Sequence, residues 1–79
     1  MKTPNLQFIG TVLSIQPNAN YVVKFKQKES EFIALCYLCG KMTKYFINPE
    51  IGDTVKAEIS EYDIRNGVNI KGRIIQRLK

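Results

Sequence analysis

The sequence predicts a small all-β barrel of five strands, with a short helical turn between the third and fourth, most economically of the OB type. Three observations carry that expectation. β-Branched and aromatic residues recur in short runs with period-two alternation. Turn signals separate the runs: Pro17-Asn18-Ala19-Asn20, Lys28-Glu29-Ser30, Asn48-Pro49, Gly52-Asp53 and Asn66-Gly67. The chain has 79 residues, and a domain this short buries only roughly 60% of its unfolded surface, enough for one core. One domain over residues 1–79 is expected. An SH3-like barrel has the same strand count, and the insertion before the fourth strand favours the OB arrangement.

The first strand is read in LQFIGTVLSIQ (6–16), which the turn cluster after it folds back onto YVVKFKQ. There Tyr21, Val23 and Phe25 alternate with Val22, Lys24 and Lys26, so one face is core and the two lysines point outward together. EFIALCYL (31–38) is almost uninterrupted apolar sequence and reads as a strand buried on both sides. Gly40 ends it. KMTKYFI (41–47) is too short for an amphipathic helix but suits one helical turn before Asn48-Pro49. TVKAEISEY sets Val55, Ala57 and Ile59 inward against Lys56, Glu58 and Ser60 outward. Asn66-Gly67 is a two-residue hairpin signal, so this strand is expected to run through Ile64 and turn tightly into NIKGRIIQRLK. In that last strand Lys71, Arg73, Arg77 and Lys79 are expected to share a face with Ile75.

Charge is segregated. All seven acids lie between residues 29 and 63, a stretch with net charge −4, whereas residues 1–28 carry +4 and residues 64–79 carry +5, giving +5 in all. A map polarised in this way suits a polyanion. The cation row on the last strand is its sharpest part, because like charges aligned on one strand repel unless an anion spreads them. Phosphate is the natural anion, although charged edge strands also serve solubility. Tyr37, Tyr45, Phe46 and Tyr62 stand near the Gly40–Ile47 loop or at strand ends, where rings can stack on unpaired bases at ~1–3 kcal/mol each. Tyr21, Phe25 and Phe32 belong to the core by their alternation.

Catalytic chemistry finds little support. The chain has no His, which removes the commonest general base and metal ligand. Cys36 and Cys39 form C-x-x-C with neither a second pair nor a His to complete a zinc tetrahedron. Asp53 and Asp63 occupy turn positions, where carboxylates ordinarily bond local amides. No enzyme, metal or cofactor is expected, and no apolar run approaches the roughly 20 residues needed to cross a bilayer.

The strings GTVLSIQPNANYVVKF, CGKMTKYFI, GDTVKAEISEYD and KGRIIQR, in that order, resemble bacterial-type translation initiation factor one over nearly the whole chain. Most specific are Gly40-Lys41-Met42 with Lys44, Gly52-Asp53 opening a strand, Tyr62-Asp63, and Lys71-Gly72-Arg73-Ile74. The resemblance implies an OB fold that binds the small ribosomal subunit at the decoding A site, touching ribosomal RNA and a neighbouring ribosomal protein and working with the other initiation factors. By the same carry-over Lys41, Met42 and Lys44 approach the RNA, with Tyr45 and Phe46 in the same loop. Tyr62 lies by that surface, and Arg73 and Arg77 neutralise phosphates beside Lys71. Thr43 and Asn48 stand where the family usually carries basic residues, and Arg65 is a candidate replacement cation. The segment from Asp63 to Lys71 is about five residues longer than the family pattern and is read as the Asn66-Gly67 hairpin. A monomer in a bacterial cytoplasm, or in the stroma of an organelle that encodes its own factor, is the expected setting. Two rivals share the fold: a general single-strand RNA chaperone of the cold-shock type, and a basic barrel that binds an acidic protein without RNA.

Overall fold

The computed structural model describes residues 5–78. Its strands are β1 (Asn5–Gln16), β2 (Asn20–Gln27), β3 (Ser30–Leu38), β4 (Thr54–Ser60) and β5 (Lys71–Arg77). Two short helices, α1 (Gly40–Lys44) and α2 (Glu61–Asn66), lie between β3 and β4 and between β4 and β5. The strands close into a barrel in the order β1-β2-β3-β5-β4, antiparallel throughout except for the β3–β5 pair.

Closure depends on β1 serving two neighbours. Its first half pairs with β4 and its second half with β2, with Gly10 and Thr11 paired on both sides. Strands that curl this tightly bring backbone against side chain at the bend. Gly10 is that point, since a Cβ there would stand 2.6 Å from both the Lys24 carbonyl oxygen and Cδ1 of Phe25. Leu13 is the extra residue of a bulge between Val12 and Ser14, which adds to the bend.

The inward residues are those the alternation selects: Val12, Tyr21, Val23, Phe25, Ala34, Cys36, Val55, Ala57, Ile59 and Ile74. Three rings knit β1 to β2 and β3. Phe25 stacks on Phe32 with centroids 5.2 Å apart, and Phe8 meets them edge-on at 6.2 and 5.4 Å. Such pairs add about 0.5–1.5 kcal/mol beyond the area they bury.

Three expectations are corrected. β3 is not buried on both sides: Ile33 and Tyr37 point outward and are exposed, because no described element covers the outer face of the barrel there. β4 does not extend to Ile64 or turn at Asn66-Gly67. It stops at Ser60, whose Oγ accepts the Tyr62 N–H at 3.1 Å and starts α2. Glu61 and Asp63 fill the first turn, Arg65 sits in the last, and Gly67 closes the helix at φ 76° with its N–H on the Asp63 carbonyl. The glycine's left-handed freedom is used for a helix cap instead of a hairpin.

The third correction concerns the cation row. A register shift opposite Lys56 and Ala57 makes Ile75 an extra residue in β5. Arg73 pairs with the outward Glu58, but Arg77 pairs with the inward Val55, so the two arginines lie on opposite faces of the strand. Among the described residues the row is Lys71 and Arg73 alone. Lys79, like Lys2, lies outside the described residues.

Candidate nucleic-acid interface

The β3–β5 seam is where the charged and aromatic residues meet. Parallel pairing sets Leu35 beside Lys71, Tyr37 beside Arg73 and Leu38 beside Ile74. The ring of Tyr37 and the cations of Lys71 and Arg73 therefore share the outer face. Gly72 between them has no side chain because the seam is tight: a Cβ would lie 3.0 Å from Ile59 and 3.1 Å from the Cys36 sulfur. A shallow depression opens over this seam, walled by Tyr37, Lys71 and Arg73 on one side and by Glu58, Ser60 and Asp63 on the other.

Each end of the seam is bounded by a helix. At the Ile74 end, the Cys39 N–H donates to the Ile74 carbonyl at 2.9 Å and leads into α1. Lys41 and Lys44 are exposed on α1, as are Tyr45 and Phe46 after it, Phe46 to the extent of 85%. Phe46 has φ 56°, and the Ile47 N–H returns to the Met42 carbonyl at 2.9 Å, which turns the chain sharply and throws the ring outward. The Lys44 ammonium stands 5.7 Å from the centroid of the Tyr45 ring, so the cation lies against an aromatic face. At the Lys71 end, α2 exposes Tyr62 and Arg65, while Ile64 packs against the core.

The expected site residues divide into four groups. Lys41, Lys44, Tyr45, Phe46, Tyr62, Lys71 and Arg73 are exposed along this band. Met42 is not: it is 2% exposed, so its side chain pins α1 to the barrel and cannot approach a ligand. Arg77 is turned away by the bulge, and its Nε donates to Asp53 Oδ2 at 2.9 Å. That carboxylate also accepts the Glu50 N–H at 2.8 Å, so the pair ties the end of β5 to the loop before β4. Arg65 is exposed but held in an i,i+4 pair with Glu61 at 2.8 Å.

Arg73 is poised differently. Its guanidinium donates to Glu58 Oε1, and this hydrogen bond, followed by the carboxylate's charge, raises its pKa above the ordinary arginine value. Arg73 is thus always charged and held in one orientation, with Tyr37 and Lys71 alongside. Tyr37, one of the rings expected to stack on bases, lines this depression, and so do Glu58 and Asp63, which sequence reasoning does not assign to the site. The signal for Glu58 lies in the strand register, where it alternates with Ala57 and Ile59.

Cys36 and Cys39 are both free thiols. Burial raises the Cys36 pKa to about 12, against a smaller lowering by a backbone hydrogen bond from Gly72. Cys36 is a core residue whose S–H points at the Ala34 carbonyl at 3.9 Å. Among the described residues no cluster of three or more His, Cys, Asp or Glu could hold a metal ion, and no helix is long and apolar enough to cross a membrane.

No protein-family profile matches the chain. The chain is 38% identical over 72 residues to translation initiation factor IF-1 of Rickettsia felis (strain ATCC VR-1525 / URRWXCal2), covering 91% of this chain and 90% of that protein. The chain belongs to the translation initiation factor IF-1 family. Its fold agrees with the solution structure of translation initiation factor IF-1 from the Wolbachia endosymbiont strain TRS of Brugia malayi. That structure matches with a TM-score of 0.66 at 40% identity, covering 99% of this chain and 82% of the other. The five-stranded barrel is therefore the OB fold of an IF-1 protein, and the work of the chain belongs to translation initiation.

Proposed function

We propose that this IF-1 protein binds the small ribosomal subunit at the decoding A site and acts there by occupancy, without catalysis. The observation that carries the reading is the band formed by the β3–β5 seam and its two flanking helices. It sets Lys71 and Arg73 between the cations of α1 and the ring of Tyr62. Lysines neutralise phosphates and release counterions, while exposed rings and an oriented guanidinium suit the local shape and unstacked bases of folded RNA. A neighbouring ribosomal protein and the other initiation factors complete the binding environment, in a bacterial cytoplasm or an organelle stroma, with the protein acting as a monomer. Occupancy would keep transfer RNA out of the A site until initiation is complete.

The direct test is binding of purified small subunits by Arg73→Glu over a range of salt. Weaker binding with a flatter salt dependence supports the reading, and an unchanged slope contradicts it. The chaperone alternative requires a sheet face of exposed aromatics for sequence-tolerant stacking. Phe8, Phe25 and Phe32 instead pack on each other, which favours the initiation reading.

A further inference from the structure

A second surface begins on the outer face of β1 and runs over β2 to Ile33 of β3. In the ring order β1-β2-β3-β5-β4, β1 stands opposite β3 and β5, so its outer face is turned away from Lys71 and Arg73. That face is aliphatic. Ile9, Leu13 and Ile33 are 55%, 42% and 55% exposed. Two adjoining depressions share Leu13 and Lys24 as walls, one reaching Ile9 and Lys26, the other Phe32 and Ile33. The barrel is closed, so a partner cannot add a strand at an edge and must be held by side chains.

Charge indicates what that partner carries. Register places Lys56 beside Ile9, and Lys24 beside both Thr11 and Ile33, with Lys26 one outward position further along β2. Two described acids lie on the outer faces of the strands beside β1 and β2: Glu31, directly across from Lys26 in register with its carboxylate engaged by Lys24 at 3.3 Å, and Glu58 of β4, engaged by Arg73. Lys26 and Lys56 have no ion pair among the described residues. A second copy of the chain would bring like charges together. RNA would find the cations but no exposed ring, since Tyr37, Tyr45, Phe46 and Tyr62 lie elsewhere, on the far part of β3, in and after α1, and on α2.

We infer that the outer face of β1 and its neighbours docks an acidic protein segment bearing aliphatic side chains, the aliphatics along Ile9, Leu13 and Ile33 and the carboxylates on Lys26 and Lys56. The site is separate from the RNA band and stands whether or not the A-site reading does. Exposed contiguous aliphatics rimmed by polar groups are the usual mark of such a surface.

The test is an amide chemical-shift titration of the full chain with a synthetic peptide of alternating Leu and Glu. The same titration is run with a Leu-Lys peptide and with oligouridylate. The expected result is saturable shifts at Ile9, Thr11, Leu13, Lys26 and Ile33 with Leu-Glu alone. Ile33→Ser and Lys26→Glu, both at exposed positions, should each weaken binding roughly tenfold while leaving the melting temperature unchanged. Shifts centred on Lys71 and Arg73, absence of saturation, or unchanged affinity in Ile33→Ser would overturn the inference. So would oligouridylate moving the same amides, which would give the face to RNA, or concentration-dependent shifts without peptide, which would give it to a second copy.

Discussion

Glu58 restrains the cation that the RNA band depends on, and removing its charge should strengthen binding. Its carboxylate accepts a hydrogen bond from Arg73 on the outer face of the seam. A phosphate engaging the free side of that guanidinium would stand roughly 7 Å from the carboxylate charge, and at an effective dielectric of about 40–80 that repulsion is ~0.6–1.2 kcal/mol. Glu58→Gln keeps an acceptor oxygen for Arg73 and removes the charge, so small-subunit affinity should rise roughly three- to eightfold at low salt. The gain should shrink as salt is raised, because the pair is solvent-exposed and screened. Fluorescence titration of labelled protein with purified small subunits, at two ionic strengths, measures both effects. Weaker binding by Glu58→Gln than by the wild type would refute this reasoning, because it would mean that the negative charge itself holds Arg73 in its working position.

Other outcomes follow from the same geometry. Lys71→Gln should lower the slope of log affinity against log salt by about 0.7–0.9; an unchanged slope would contradict its contact with phosphate. Gly10→Ala should destabilise the fold by about 1–3 kcal/mol in denaturant unfolding, since the new methyl meets the Lys24 carbonyl and the Phe25 ring at 2.6 Å; a stability equal to the wild type would show that the β1 bend relaxes freely. Cys36 holds its proton in the folded state up to about pH 12 against an ordinary value of 9.0. Its contribution to stability is therefore intact below pH 9 and lost as pH rises toward 12. Cys36→Ala should show a shallower alkaline loss of stability than the wild type, and identical pH profiles would leave Cys36 with no part in the alkaline transition.

Much of the barrel is legible because its signals are local. The alternation in YVVKFKQ and TVKAEIS fixes which side chains face inward, and the structure places Tyr21, Val23, Phe25, Val55, Ala57 and Ile59 there. What is not legible depends on tertiary placement. EFIALCYL has the composition of a strand covered on both sides, yet Ile33 lies on an uncovered outer wall, and no residue within the segment signals that. Asn66-Gly67 fits both a tight hairpin and a helix end. The deciding signal lies upstream, in Ser60 with Asp63 three residues on and acids in the first turn.

The candidate site is legible in composition and less so in arrangement. Alternation puts Lys71, Arg73 and Arg77 on one face, but a single bulge residue, Ile75, reverses the facing of everything after it. Bulges carry no reliable signature in an apolar Ile-Ile step. The family resemblance groups Met42 with Lys41 and Lys44, whereas a helical turn sends neighbours in different directions, and the apolar one turns inward.

The central claim is that the band along the β3–β5 seam seats the protein on the decoding A site. Chemical probing of the ribosomal RNA in small subunits, with and without bound protein, tests it most directly. The predicted result is protection confined to the decoding site, lost together with binding in Arg73→Glu, and not reproduced on large subunits. Equal binding to small subunits, large subunits and unrelated RNA, without localised protection, would contradict it.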